Sequence, residues 1–372
     1  MKIGIITFWD LEDNYGQILQ CYALQRFLKN MGYDAFVIRY LASEQHQYSF
    51  KKLFGIVMHP DKILRYVRGR RRRRISNKTN KDHPRGFNDF KEANISMTSR
   101  IYRSADELQN NPPLADVYIC GSDQIWGGED PIYYLNFGDL KAKRLAYAPS
   151  FGHKPCPESV EKIKSYLTRF DIITVRELSG IQICEELGYN NVECVPDPTL
   201  LLTVNDYKLL EDIIEVENEY ILLYLLGNTI DYDIDEIYEY ANKHNLEIKY
   251  VSSQGRLDKY SKEYPSIPQW LYLINHAKYV ITNSYHGTIF SILYNKQFVV
   301  IPLSGDYKKM NSRFETLFSL FKIEKRYLKT GQLETMQSSI DYKFINEILE
   351  SKRRYVENKM KEWLKIENYG DC

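Results

Sequence analysis

The sequence predicts an α/β protein made of two Rossmann-like domains. Three observations carry that prediction. The chain opens strand, loop, helix, strand: residues 2–8 are apolar and β-branched, and residues 35–40 repeat the pattern. Between them, Ile18, Leu19, Tyr22, Ala23, Phe27 and Leu28 fall near helical spacing, with Gly32 placed to end the helix. After an acidic stretch at 206–219 the same alternation restarts at 220–226. Residues 279–302 then read as strand, tight turn, helix, strand, the repeating unit of a parallel sheet. A chain of 372 residues is long for one ordinary domain and fits two. The expected division is a first domain at 1–212, a second at 213–340, and a terminal helix within 341–372. That helix carries an apolar face (Phe344, Ile345, Ile348, Leu349, Val356, Met360, Trp363, Leu364), expected to pack back on the first domain.

The elements in order supply the rest. The loop at 9–16 ends Asp13-Asn14-Tyr15-Gly16, which is not the G-x-G-x-x-G fingerprint, so a dinucleotide site is disfavoured. Residues from about 41 to 108 break the rhythm and read as a basic insertion, with Arg70, Arg71, Arg72, Arg73 and Arg74 in one run. Such a run is either a solvated helix face or a contact for an anionic membrane surface; no nucleic-acid-binding motif accompanies it. A strand at 116–120 delivers Gly121-Ser122-Asp123-Gln124-Ile125-Trp126 at its carboxyl end. Donors, acceptors and one flat ring there suit a polyhydroxylated ligand. A strand at 172–175 ends in Arg176-Glu177 before a helix. Arg176 is placed as an anion ligand, or else as the ion-pair partner of Glu177. In the last unit the turn holds Asn283, Ser284, Tyr285, His286 and Gly287 where a parallel strand ends and a helix begins. Unpaired N–H groups and the helix dipole favour an anion at that place. Arg313 opens the next amphipathic helix.

Composition narrows the function classes. Lys+Arg (50) and Asp+Glu (49) nearly cancel, so bulk charge argues against a nucleic-acid binder. The six cysteines form no C-x-x-C pair and read as free thiols of a reducing compartment. The seven histidines form no H-x-H or H-E-x-x-H, so no metal site is expected. No signal-peptide pattern and no stretch of about 18 apolar residues is present, and a cytoplasmic protein is expected.

An ordered set of motifs then gives a family resemblance. Asn14-Tyr15-Gly16-Gln17, the Gly121–Trp126 string, Tyr147 to Gly152, Val175-Arg176-Glu177, Asp197-Pro198-Thr199 and Thr282 to Gly287 follow one another as in the polysaccharide pyruvyl transferase family. The resemblance runs from the first strand to about Arg326 and leaves out the Arg-rich region and the last helix. It implies a fold similar to GT-B glycosyltransferases, with the active site in the cleft between the domains. It implies phosphoenolpyruvate as donor, a sugar as acceptor, often in a lipid-linked oligosaccharide, and a pyruvate ketal as product in surface or capsular polysaccharide synthesis. No further cofactor is implied. Arg176 and His286 match donor-binding positions. Better-known members carry Arg-Leu-His where this chain has Ser284-Tyr285-His286, so a cation must come from elsewhere, and Arg313 is the candidate.

The residue chemistry is consistent with that implication. Phosphoenolpyruvate needs cations and helix-terminal N–H groups for its phosphate and carboxylate. His286 can move a proton near neutral pH. Asp123 or Glu177 could partner it, and spacing does not choose between them. Asn14, Tyr15, Gly16, Gln17, Ser122, Asp123, Gln124 and Trp126 are expected on the acceptor side. Two other readings stay open: a GT-B glycosyltransferase using a nucleotide sugar, and a saccharide-binding relative without turnover.

Overall fold

A computed structural model describes residues 1–41, 60–228, 230–253 and 255–365. Residues 42–59 of the expected insertion, and 366–372 with Cys372, lie outside the described residues. The first domain runs β1 (Lys2–Ile6), α1 (Tyr15–Asn30), β2 (Asp34–Tyr40), α2 (Pro60–Asp82), α3 (Phe87–Asn94), β3 (Met97–Tyr102), α4 (Ala105–Asn110), β4 (Val117–Cys120) and β5 (Lys143–Ala146). It continues with α5 (Val160–Leu167), β6 (Ile172–Val175), α6 (Leu178–Glu186), β7 (Val192–Cys194) and α7 (Val204–Lys208). The second holds β8 (Tyr220–Leu226), α8 (Ile234–Lys243), β9 (Glu247–Ser253), α9 (Ile267–His276), β10 (Tyr279–Thr282), α10 (Tyr285–Leu293), β11 (Gln297–Val300) and α11 (Ser312–Phe321), and α12 (Tyr342–Trp363) closes the chain.

Both sheets are parallel. The first has the order β3-β2-β1-β4-β5-β6-β7, with Ile3 opposite Ala35 on one side and Val117 on the other. The second has the order β11-β10-β8-β9. Strand order reverses between β1 and β4 in one sheet and between β8 and β10 in the other. The carboxyl ends beside such reversals open crevices where ligands bind. Strands covered by helices on both faces must be apolar throughout, and β4 (Val-Tyr-Ile-Cys) and β8 (Tyr-Ile-Leu-Leu-Tyr-Leu-Leu) are.

The expected insertion is smaller than residues 41–108. Met97–Tyr102 is an edge strand beside β2, so among the described residues only α2 and α3 interrupt the alternation. This edge strand has no two-residue alternation to read: two half-buried positions precede two exposed ones, and only Tyr102 is buried.

Two of the contacts that join the domains are an aromatic stack and the terminal helix. Tyr15, fully buried, stacks on Trp270 with centroids 4.9 Å apart and planes 9° from parallel, and its hydroxyl donates to the Pro265 carbonyl at 2.7 Å. A ring pair of this kind contributes about 0.5–1.5 kcal/mol beyond its buried area. The other join is α12: the Tyr342 hydroxyl donates to the Lys296 carbonyl, whereas Arg353 donates to the carbonyls of Leu200 at 2.9 Å and Leu202 at 2.8 Å. The helix therefore starts on the second domain and ends on the first.

Candidate active site

The turn after β10 is built by its own side chains. Thr282 Oγ1 donates to the Tyr224 carbonyl at 2.7 Å and accepts from Ser284 N at 3.0 Å. The Asn283 carboxamide accepts from Leu226 N at 2.7 Å and donates to Leu226 O at 2.9 Å, continuing the sheet by one side chain. Ser284 Oγ caps α10 by accepting from Gly287 N at 3.1 Å. These donors and acceptors are spent on backbone, so Asn283 and Ser284 shape the turn and do not present free polar atoms to a ligand. Gly287 lets α10 start close to the sheet: a Cβ there would lie 2.7 Å from Thr282 Oγ1 and 2.9 Å from the Tyr224 ring.

Tyr285 and His286 project from that first turn onto the first domain. A Cβ on Gly16 would sit 2.2 Å from the His286 ring, so glycine at the start of α1 is what admits the imidazole. On its other side, His286 Nε2 lies 3.5 Å from Asp197 Oδ2. Asp197 is fully buried and is the hub of the site. Its Oδ2 also accepts from Ser122 Oγ at 2.9 Å and Arg176 Nη1 at 3.1 Å; its Oδ1 accepts from Thr199 N at 3.0 Å and Thr199 Oγ1 at 2.7 Å. Burial alone would raise its pKa. The nearby imidazole of His286, then Arg176 and the Thr199 N–H, outweigh burial and hold the carboxyl well below the usual range. It is an anion at any working pH.

The two candidate arginines differ. Arg176, its side chain 0% exposed, donates through Nε to Glu177 Oε1 at 2.8 Å and through Nη1 to Asp197. Burial opposes its charge, but Glu177, Tyr285, Asp197 and Asp123 more than compensate and raise its pKa. Arg313 Nε is buried without a partner. Burial, then repulsion from Arg176, pushes its pKa down to about 10, with Asp123 and Glu177 opposing. Both guanidinium carbons lie over the Tyr285 ring, at 4.6 Å for Arg176 and 5.6 Å for Arg313. The ring face spaces two cations that would otherwise repel. Two close cations, one of them unpaired, form a receptor for an anion.

The candidates of the sequence thus separate. Arg176, Glu177, Tyr285, His286 and Arg313 converge, and Asp123 faces the two arginines closely enough to act on both. Asp123 adopts φ 75°, and its own carboxylate accepts Gln124 N at 2.9 Å. Ser122 is fully buried on Asp197. Most of the expected acceptor side is engaged in the protein's own structure. Trp126, 1% exposed, is a core residue that stacks on Tyr134 at 5.4 Å and donates to the Tyr133 carbonyl. Tyr15 joins the domains, Asn14 caps α1 by accepting Gln17 N, Gly16 backs His286, and Gln17 Oε1 accepts Leu11 N. A short loop that reads as polar had to fold inward to satisfy α1's first N–H groups. Gln124 alone of these eight lines a cavity described here. Asp197 was not among the candidates; its signal was the Asp-Pro-Thr turn after a strand, and nothing local reveals that three elements meet on it.

Two cavities of about 240 Å³ each flank the cluster. One lies between the N-terminus of α6 and the segment before α11, with Gln124, Glu177, Lys309 and Arg313 on its wall. The other is mainly apolar and reaches Arg176, Asp197 and Tyr285. Among the described residues no group of three or more His, Cys, Asp or Glu could hold a metal ion, and no helix is long and apolar enough to cross a membrane.

Comparison with known proteins fits this geometry. The family model described as polysaccharide pyruvyl transferase matches residues 14–305. No curated protein matches the chain. Among solved structures, a Methanocaldococcus jannaschii UDP-GlcNAc 2-epimerase in complex with UDP-GlcNAc and UDP is similar with TM-score 0.51 and 15% identity, over 97% of this chain and 100% of that one. A UDP-GlcNAc 2-epimerase from Neisseria meningitidis (TM-score 0.46, 11% identity, 97% and 100% covered) and the glycosyltransferase SnogD from Streptomyces nogalater (0.43, 12%, 97% and 99%) are more distant. Only the first is close enough to weigh, and at 15% identity it weighs on fold alone. The architecture is GT-B-like, with the site assembled from both domains.

Proposed function

The chain belongs to the polysaccharide pyruvyl transferase family, and from that premise we propose that it transfers the pyruvyl group of phosphoenolpyruvate onto two hydroxyls of a sugar, releasing phosphate. The observation that carries this reading is the pair of arginines against one aromatic ring, Arg176 held by Glu177 and Asp197 with its Nη2 unpaired and Arg313 with no carboxylate partner among the described residues, beside the Asp197–His286 contact. A donor with two anionic groups matches that pair. Ketal formation adds one proton to the C3 methylene and removes two from the acceptor hydroxyls; the second leaves with the phosphate. His286, held between Gly16 and Asp197, is the group placed to move a proton, and such a group contributes about 10²–10⁴-fold. Asp197 positions the ring. Asp123, half-buried near the arginines and in no ion pair among the described residues, is the remaining carboxylate; Glu177 is committed to Arg176.

The test is phosphate release from phosphoenolpyruvate, measured with a panel of free sugars and with a lipid-linked saccharide extract. Release that depends on an acceptor is the expected result. Turnover of a nucleotide sugar in its place would make the chain a glycosyltransferase, and saccharide binding with no turnover of either donor would make it a binding protein.

A lipid-linked acceptor in polysaccharide synthesis would bring the enzyme to the inner face of a membrane, and α2 is the surface that fits such a position. Residues 60–82 hold ten Lys and Arg against two Asp, in a chain of net charge +1. Arg70, Arg71 and Arg74 are exposed. Ser76, one turn on, donates to the Asp13 carboxylate, and His83 stacks on Tyr264 at 4.3 Å, so the helix is fixed beside the domain junction. Each basic side chain near an anionic surface contributes about 1 kcal/mol. Sedimentation with phosphatidylglycerol vesicles should be salt-sensitive, absent with phosphatidylcholine, and lost when Arg70, Arg71 and Arg74 become Gln. Equal binding by the variant would leave α2 a solvated face.

A further inference from the structure

We propose that the cavity between α6 and the segment leading into α11 is a binding site for a phosphate monoester dianion, separate from the turn that carries His286. This rests on the donor proposed above, whose phosphate would lie here while its carbons reach toward Arg176 and Asp197.

Three observations place an anion there. First, Arg313 and Lys309 line the cavity, and neither has a carboxylate partner among the described residues. The acids on the same wall are already committed, Glu177 to Arg176 at 2.8 Å and Glu186 to Lys154 at 2.5 Å. The wall therefore carries net positive charge. Second, two buried donors, Arg313 Nε and Gln124 Nε2, have no hydrogen-bond partner. A buried unpaired donor costs about 1–3 kcal/mol, which a bound acceptor recovers. Third, α6 begins at this wall with Ser179 and Gly180, and its cap residue Glu177 makes no side-chain bond to the helix N–H groups. Leu178 N donates to Thr316 Oγ1 at 3.4 Å and Gly180 N to the Glu177 carbonyl at 2.8 Å, so what favours negative charge there is chiefly the positive end of the helix dipole. A volume of about 240 Å³ holds a small phosphorylated acid with water to spare.

The site is connected to the proton-handling group. Glu177 lines the cavity, binds Arg176, and Arg176 binds Asp197, which contacts His286. Phosphate occupying the cavity faces Glu177, so loading and loss of the leaving group are felt along this chain of charged contacts. The position also explains how a family member manages with Ser284 where a cation is expected: the cations enter from the segment after β11.

The experiment measures binding of inorganic phosphate, phosphoenolpyruvate and UDP to the full chain by calorimetry and thermal shift. Phosphate and phosphoenolpyruvate should both bind. Lys309→Met and Arg313→Met should each weaken both by at least tenfold, and Lys154→Met by less than threefold. Lys309 is exposed, so its variant reads the site without threatening the fold. Unchanged phosphate affinity in Lys309→Met and Arg313→Met overturns the inference, and so does protection by UDP alone. Phosphate binding lost in both variants, in a protein that never turns over phosphoenolpyruvate, upholds this site and removes the proposed reaction instead.

Discussion

The two halves of the site are built on opposite plans. The half from the first domain, Ser122, Arg176, Glu177 and Asp197, is bound mainly to itself: Arg176 Nη2 is the one side-chain nitrogen of this group left unpaired, and every side chain is buried. The half from the second domain keeps His286 Nε2 and Arg313 Nε without hydrogen-bond partners, and Arg313 has no carboxylate beside it among the described residues. A saturated, buried network is costly to disturb and holds its geometry without a ligand. Unpaired donors are costly to keep, and are retained where a ligand completes them. One half thus fixes position and the other supplies binding capacity. That division is what a two-domain transferase needs, because catalysis gains from groups already aimed before substrate arrives.

The comparison can be broken from either side. His286→Ala should lower kcat by about 10²–10⁴-fold with the fold intact, since it removes the proton-moving group from the open half; near-normal turnover would falsify its assignment. Asp197→Ala should unfold the protein more readily, by about 3–5 kcal/mol in urea titration, because Arg176 and Ser122 lose their buried partner. Arg313→Met should leave stability unchanged or raised while increasing KM for phosphoenolpyruvate about 10–100-fold, the loss of a charge-assisted contact of about 1.5–3 kcal/mol. Arg176→Met should instead cost stability, because it strands Glu177 and Asp197 in the interior, and equal losses in the two arginine variants would remove the distinction between the halves. Gly16→Ala should cost about 1–3 kcal/mol by crowding the imidazole, and should lower kcat more than it raises KM. The smallest effect is on pH. Asp197 is held below its unfolded value of about 3.9, so its contribution is complete above that pH and is lost as acid approaches the folded pKa. Wild-type stability should fall below about pH 4 more steeply than that of Asp197→Asn.

Legibility in the sequence followed the range of the interactions. The strand–turn–helix around His286 was readable because its signals are local: an apolar β-branched run, a Ser cap, a glycine, then helical spacing. Arg176 and Arg313 were readable for the same reason, each at the start of a helix. The acceptor side misled because Asn14, Tyr15, Gln17 and Trp126 are polar or amphipathic, and such side chains serve a cap or a core as readily as a ligand. Residues 41–108 misled in the other direction, since a half-exposed edge strand has little periodicity to show.

By itself the sequence determined the α/β class, the two-domain division of labour between repeated strand–helix units, and the turn that presents His286. Hydrophobic period, caps and glycines act within a few residues, and those are written in order along the chain. Only the tertiary structure decided that Asp197 is the hub, that Arg176 is held by two carboxylates while Arg313 is held by none among the described residues, and that Gly16 is small for the sake of His286. Charge compensation and close approach depend on distances between residues more than a hundred positions apart, such as Gly16 and His286, and the folded chain alone sets those.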